Sequence, residues 1–207
     1  MMAIFSNKVF VFYAFLCAHS LLLGLFPFYL GVYLYQLPTS LSLVAVFVAL
    51  SGLGFCGGLY LLEYHLKAVA LPRVLAVSFW LNAVLLACIF LEGQSYFLYL
   101  CAFISGIYGC YFYTLSRLLF FDILSVNDSG KKYGNLQIVV AIMLNIGIFL
   151  GGFLLQYYDY FILFVASSVL AIFCSALFWQ SSLRLSSPLQ FGYFSHILAF
   201  KDQAHSR

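Results

Sequence analysis

The sequence predicts an all-α, polytopic membrane protein with six transmembrane helices. Hydrophobic residues make up 65% of the 207-residue chain and charged residues only 7%, with a mean hydropathy of +1.07. Soluble domains carry about 25% charged residues, so this composition excludes a soluble globular surface. Several apolar runs exceed the roughly 20 residues that a helix needs to cross a bilayer core. They are continuous, whereas a membrane β-barrel would alternate at every second residue.

The first span is predicted to begin after Lys8 and to end near Tyr35. A cleaved secretory signal, with Ala18 and Ser20 near its cleavage point, is the alternative, but this apolar stretch is too long for a signal core. Pro27 lies inside the run and predicts a kink, because a helical proline leaves a carbonyl without its N–H partner. The kink either exposes backbone to a binding cavity or is a simple bend.

Five further apolar runs follow, separated by short polar segments. Pro72 lies in the first turn of the third span, where a missing N–H costs little. The predicted spans cover about residues 9–35, 41–62, 68–91, 96–121, 134–155 and 160–179, within a transmembrane domain of residues 1–180. Residues 181–207 form a tail, which is an interfacial helix, a disordered segment or the start of a linker to another unit.

The charged residues favour six spans with both termini in the cytoplasm. The segments assigned to the inner side contain every Lys and Arg: Lys8, Lys67, Arg73, Arg117, Lys131, Lys132, Arg184, Lys201 and Arg207. The outer loops contain only Glu92 and Asp159 as charged residues. This asymmetry follows the positive-inside rule and predicts a multi-pass protein of the cell inner membrane. The lipid bilayer is therefore an expected partner, and the net charge of +3 does not indicate nucleic-acid binding.

Two pairs of glycines predict close helix packing. Gly54 and Gly58 in the second span are four residues apart, as are Gly147 and Gly151 in the fifth. Glycines at this spacing share a helix face and allow a second backbone to approach. A shift of three helices superposes the two pairs and reverses the membrane orientation, which is typical of an inverted 3+3 repeat.

The fifth span contains Gly134, Gly147, Gly151 and Gly152, which we interpret as helix-packing positions. With this spacing the span resembles the fifth helix of major facilitator superfamily transporters. Met143 and Ile148 stand where the family's motif C has glycine and proline. The segment from Phe26 resembles the first two helices of the family. Glu63 is displaced by one position from the acid of motif A, and the fourth helix lacks the arginine of motif B. The motif C positions that match are Gly134, Gly147, Gly151 and Gly152.

This resemblance implies one half of a transporter, since family members usually have twelve helices in two six-helix halves. The expected function is secondary transport of a small-molecule solute by a half-size or truncated unit. Such a unit would pair with a second copy or with another six-helix half. The alternative is a non-transporting membrane scaffold or a degenerate transporter fragment.

Few polar residues lie within the predicted spans, and four are candidates for substrate binding: His19, Asn82, Tyr108 and Asn145. An ionisable residue such as His19 at membrane depth is a functional hypothesis by default. The alternative is a neutral imidazole bonded to a neighbouring helix. For Asn82 and Asn145 the alternative is interhelical hydrogen bonding.

Arg117 and Glu63 are candidates for a gating ion pair, and snorkelling to the headgroups is the alternative for Arg117. No enzymatic activity is expected, because the sequence has no GxSxG motif and no Asp or Glu in mid-span. The six cysteines lie in apolar runs without a CxxC pair, so we expect neither a metal site nor any cofactor.

Overall fold

The computed structural model describes residues 7–36, 41–90, 95–123 and 129–181. In these ranges the chain is helical and contains no strand. The first span, Lys8–Leu34, comprises two helices, and six segments are long and apolar enough to cross a membrane. The prediction of an all-α, six-span membrane protein is confirmed, whereas residues 182–207 of the predicted tail lie outside the described ranges. The helices are α1 (Lys8–Leu25), α2 (Pro27–Gln36), α3 (Leu41–Ala68), α4 (Leu71–Phe90), α5 (Ser95–Ile123), α6 (Ser129–Tyr157) and α7 (Tyr160–Trp179).

Pro27 divides the first span into α1 and α2. Phe26, between the helices, has φ −120° and ψ −63°, because the ring of a following proline disfavours helical geometry. Its N–H still donates to the Leu22 carbonyl at 3.1 Å, and its own carbonyl accepts from Tyr29 N–H at 2.9 Å. The backbone therefore bends at this point while both groups of Phe26 remain hydrogen-bonded.

Two of the six spans extend five or more residues beyond a predicted end. α3 continues to Ala68, past the predicted end at residue 62, and α6 begins at Ser129, before the predicted start at residue 134. At the end of α3, the Lys67 ammonium donates to the Glu63 carboxylate at 2.6 Å. Ion pairs between residues one turn apart stabilise a helix. Hydrophobicity marks the part of a helix that lies in lipid, whereas charged residues can extend that helix into water.

Three helix pairs form most of the packing: α1 with α6, α3 with α5, and α4 with α7; α4 also packs against α5. The first pair is parallel, since Leu21 lies beside Gly147 and Tyr29 beside Gly151. The second pair is also parallel, since Gly54 lies beside Phe103 and Gly58 beside Cys110. The third pair is antiparallel. Ser175 of α7 donates to the Ala76 carbonyl of α4 at 3.0 Å. These directions are those of a chain that crosses the membrane alternately.

The core is made of large side chains between α1, α4, α5 and α7, including Phe12, Phe15, Phe79 and Tyr111. A second cluster surrounds Phe26 and includes Leu85, Leu86 and Phe164. α3 and α6 lie mostly outside this core, to which α3 contributes Leu62. In the most apolar 18-residue stretch of α3, and likewise of α6, only 11% of the residues are buried, compared with 61% for α4. Each of these two helices therefore leaves most of its surface to the bilayer or to another protein.

The described Lys and Arg residues lie at one end of the bundle, which we call the basic end. Lys8 at the start of α1 meets Asp122 near the end of α5 at 3.1 Å. Arg73 at the start of α4 lies over the Trp179 ring at the end of α7. The basic end contains Lys8, Lys67, Arg73, Arg117, Lys131 and Lys132.

Candidate functional site

His19 lies near mid-span and connects three helices through its ring nitrogens. Nε2 is 2.9 Å from Ser78 Oγ on α4, and Nδ1 is 3.1 Å from the Tyr108 hydroxyl on α5. The Ser78 hydroxyl donates to the Leu75 carbonyl at 2.6 Å, so its oxygen is the acceptor for His19 Nε2–H. Nδ1 then accepts from Tyr108 O–H. A neutral imidazole protonated at Nε2 satisfies every group in this chain of bonds.

Aromatic rings enclose the His19 imidazole. Phe79 stacks on it with ring centroids 3.9 Å apart, and Phe15 meets it edge-on at 4.5 Å. Phe112 lies 4.9 Å away. His19 and Ser78 have no exposed surface, and Tyr108 is 2% exposed. The structure thus brings together two predicted substrate contacts, His19 and Tyr108, in a closed cluster that no solute reaches in this conformation.

Asn82 lies one turn after Ser78 on α4 and is also fully buried. Among the described residues, neither the amide nitrogen nor the amide oxygen of Asn82 has a hydrogen-bond partner, and the Ser20 hydroxyl also has none. An unbonded buried polar group costs about 1–3 kcal/mol. Asn82 is therefore close in sequence to the His19 cluster but is not joined to it by a hydrogen bond.

Asn145, the fourth predicted substrate contact, lies on the exposed face of α6. Its amide nitrogen donates to the Ala141 carbonyl one turn earlier at 2.8 Å. The other three candidates are in the interior of the bundle, so the four residues do not form one site. Asn145 instead presents an amide at mid-span on a surface that is otherwise apolar.

The hypothesised ion pair between Arg117 and Glu63 is absent among the described residues. Glu63 binds Lys67 on its own helix, where a partner one turn away is within reach without any tertiary contact. Arg117 is exposed near the end of α5. The ion pair that does link two helices joins Lys8 and Asp122 and was not predicted from the sequence. The Asp122 side chain is only 7% exposed.

α1 and α6 are in backbone contact at a pair of glycines. A Cβ built on Gly24 would overlap the carbonyl oxygen of Leu144, and one built on Gly147 would overlap that of Leu21. Each of these carbonyls lies three residues before the opposing glycine. No larger residue fits at either position without separating the helices. The prediction that Gly147 lies in a packing face agrees with this geometry, whereas the role of Gly24 was not foreseen.

α3 and α5 meet in the same way. A Cβ on Gly54 would overlap the Phe103 carbonyl oxygen, and one on Gly106 would overlap that of Ser51. Again each carbonyl lies three residues before the opposing glycine. The second nearest atom to the Gly24 Cβ is the amide nitrogen of Ile148, at 2.8 Å, and the second nearest to the Gly106 Cβ is that of Phe55, at 2.7 Å. Ile148 and Phe55 each directly follow the opposing glycine. The two crossings therefore share one local geometry.

The remaining predicted packing glycines differ in their surroundings. A Cβ on Gly58 would lie 2.9 Å from the Cys110 Cβ, and Gly151 and Gly152 lie against the Tyr29 side chain. Tyr29 also donates to the Ile148 carbonyl at 2.6 Å. Gly134 has no such neighbour within 4 Å in the part of the chain that the structure describes, so its packing role stays a prediction. It lies near the start of α6, on an exposed part of the helix.

Comparisons with protein-family models, with curated proteins and with solved structures found no match. The similarity to the major facilitator superfamily therefore stays a prediction based on the glycines of the fifth span. Among the described residues, no group of three or more His, Cys, Asp or Glu side chains could hold a metal ion. The local chemistry available is that of hydrogen bonding, at the His19 cluster and at Asn145.

Proposed function

We propose that the chain is a half-size secondary transporter of a small solute that works as a pair of six-helix units in the cell membrane. The observation that carries this proposal is the repeated glycine geometry at two helix crossings. The first crossing joins the first and fifth spans, and the second joins the fourth and second. A shift of three spans converts one pair into the other.

A shift by an odd number of spans reverses direction in the membrane, so the repeated crossing fits an inverted 3+3 repeat. Inverted repeats are common in secondary transporters, where substrate sites lie at the interface between repeats or halves. The third and sixth spans, α4 and α7, pack against each other. The same shift exchanges these two, so all three main helix pairs agree with the proposed repeat.

In this proposal the solute pathway lies between two copies, because the His19 cluster is closed within a single bundle. Asn145 supports α6 as the helix that meets the second copy. An amide at membrane depth is unfavourable against hydrocarbon and gains from a hydrogen bond to a neighbouring helix. The basic end would face the cytoplasm, since positively charged segments remain on that side.

The first test is the mass of the purified protein in nanodiscs, by light scattering with the lipid contribution subtracted. We expect a dimer for the wild type and a shift towards monomer for Asn145→Leu. Val169→Leu is the control, since it changes an exposed apolar residue on a different helix, α7, and should leave the dimer intact. A wild-type monomer at every concentration would overturn the two-copy pathway.

The second test is coupled flux in liposomes that contain a pH-sensitive dye. Sugars, amino acids, organic acids and lipophilic cations are added in turn to vesicles with an imposed proton or sodium gradient. A transporter should move protons, or consume the sodium gradient, with at least one of these classes. A stable dimer that couples to none of them would favour the second candidate function, a non-transporting scaffold.

The closed His19 cluster is the observation that favours this scaffold. A structural core needs its polar groups bonded and dry, as those of His19, Ser78 and Tyr108 are. Ile142→Cys, in a variant without the native cysteines, distinguishes the candidates, because Ile142 lies on the exposed side of α6 one turn before Asn145. A scaffold would keep this thiol against lipid or protein and protect it from a water-soluble reagent, whereas a solute pathway between two copies would expose it to water.

A further inference from the structure

A groove of about 440 Å³ lies between α4 and α7. Its deepest residues are small: Ala76 is fully buried and Ser175 is 7% exposed. The Ser175 hydroxyl donates to the Ala76 carbonyl, so this part of the groove offers no unbonded polar group. Trp80, Ile172 and Trp179 flank the groove and are each more than half exposed. The groove is therefore apolar throughout and open at the surface of the bundle.

One end of the groove carries a positive charge. The Arg73 guanidinium carbon lies 5.7 Å from the centroid of the Trp179 ring, and Arg73 is exposed. Among the described residues Arg73 forms no ion pair, because Glu63 binds Lys67 and Asp122 binds Lys8. Arg73 also lies in the first turn of α4, where the helix dipole favours an anion. An anion at this position would meet both the guanidinium and the helix end.

We propose that this groove binds an anionic phospholipid, with its phosphate on Arg73 and one acyl chain between α4 and α7. From Arg73 to Trp80 is seven residues, roughly 10 Å along the helix axis, so the groove extends from the basic end towards the bilayer interior. Basic side chains near the membrane surface attract anionic headgroups, and tryptophan is enriched at that level. A polar head joined to an apolar chain therefore matches both parts of the site.

A second copy of the chain fits this groove less well. It would bury the Arg73 charge, and leaving a charge buried without a partner is costly. A free phosphate ion would use only Arg73 and leave the apolar groove empty. A phospholipid instead keeps its headgroup and the guanidinium at the membrane surface while its chain covers the groove.

The site contains its own reporters, because both tryptophans of the chain line the groove. The protein is reconstituted in bilayers in which either phosphatidylglycerol or phosphatidylcholine carries brominated acyl chains, which quench tryptophan fluorescence on contact. We expect the relative affinity of the groove for phosphatidylglycerol to be about fivefold higher than for phosphatidylcholine, because one basic residue near the surface usually contributes about that factor to the binding of an anionic lipid. In Arg73→Gln this preference should disappear, while quenching by both lipids persists.

Two further variants make the test specific. Lys131→Gln removes another exposed charge at the basic end and should keep the preference for phosphatidylglycerol. Ala176→Phe places a ring in the groove and should reduce quenching by both lipids. Equal competition by the two lipids in the wild type, or equal loss of preference in Lys131→Gln and Arg73→Gln, would overturn the proposal. Absence of quenching by either lipid would overturn it too and would indicate that protein covers the groove.

Discussion

The Cα of Gly147 lies 2.9 Å from the position that a Cβ on Gly24 would occupy, so α1 and α6 touch through their backbones. The equivalent contact between Gly54 and Gly106 joins α3 and α5. In lipid the hydrophobic effect does not drive helices together, and close backbone packing is a main source of their association. These four glycines should therefore dominate the stability of the bundle.

Alanine at the crossings should destabilise the protein. Gly24→Ala, Gly147→Ala and Gly106→Ala each add a methyl group where a backbone atom already lies, and overpacking of this kind costs about 1–3 kcal/mol. We expect each variant to have a lower midpoint temperature of thermal unfolding in detergent, as measured by differential scanning fluorimetry. Gly134→Ala and Gly52→Ala are the controls, because no described residue of another helix lies within 4 Å of their added Cβ. Equal destabilisation by Gly134→Ala would contradict the packing described for the fifth span.

Removal of the His19 ring should leave the Tyr108 hydroxyl buried without a partner. We expect His19→Leu to lower the free energy of unfolding by about 1–3 kcal/mol for that hydroxyl alone. Tyr108→Phe removes the unsatisfied group, so the double variant should be at least as stable as His19→Leu. If the Tyr108 hydroxyl did not bond to His19 Nδ1, the effects of the two substitutions on the free energy of unfolding would be strictly additive. Nitrogen NMR of labelled histidine should also find the Nε2–H tautomer in the wild type.

The ion pair between Lys8 and Asp122 should contribute more than the pair between Lys67 and Glu63. The Asp122 side chain is 7% exposed and that of Glu63 26%, so the first pair is less screened by solvent. Double-mutant cycles with Lys→Gln and acid→amide changes measure each coupling energy in detergent. We expect about 0.5–3 kcal/mol for Lys8 with Asp122 and about 0.3–0.5 kcal/mol for the exposed pair within α3. Equal coupling energies would show that Asp122 is hydrated.

Tyr29 should stabilise the contact between α2 and α6 through its hydroxyl as well as its ring. Tyr29→Phe keeps the ring against Gly151 and loses only the bond to the Ile148 carbonyl. We expect a cost of about 1 kcal/mol, the usual net value of such a bond, measured by unfolding in a denaturing detergent. Tyr158→Phe is the control, since Tyr158 is 59% exposed. No difference between the two variants would mean that the hydroxyl gains nothing from Ile148.

The sequence predicted the number of spans and the class of protein, because apolar runs and charged segments report directly on the membrane. It also indicated that Gly54 and Gly147 lie in packing faces. It did not indicate which helices meet there, since a small residue marks a possible approach and carries no information about its partner. Gly24 and Gly106, which complete the two crossings, each lack a second glycine four residues away, so their spacing gave no signal.

The polar residues were less predictable. His19 was recognised as unusual at its depth, but its partner Ser78 is a common residue in such helices and has no distinguishing pattern. Glu63 was assigned to a distant arginine, although Lys67 on the same helix was nearer. Asn145 and Asn82 looked equivalent in the sequence, and only the arrangement of helices places one at the surface and the other in the core.

The pairing of helices also fixes when the protein can acquire its structure during synthesis. α1 packs mainly against α6, α3 against α5 and α4 mainly against α7. The main packing partner of each early span is therefore synthesised later than the span itself. Among the described residues, α3 and α4 make only a slight contact with each other. The first and third spans share the contact between His19 and Ser78, but the main packing partners of the first three spans are present only when the fourth to sixth spans emerge. An insertase or chaperone that shields polar residues such as His19 and Ser78 would act during that interval.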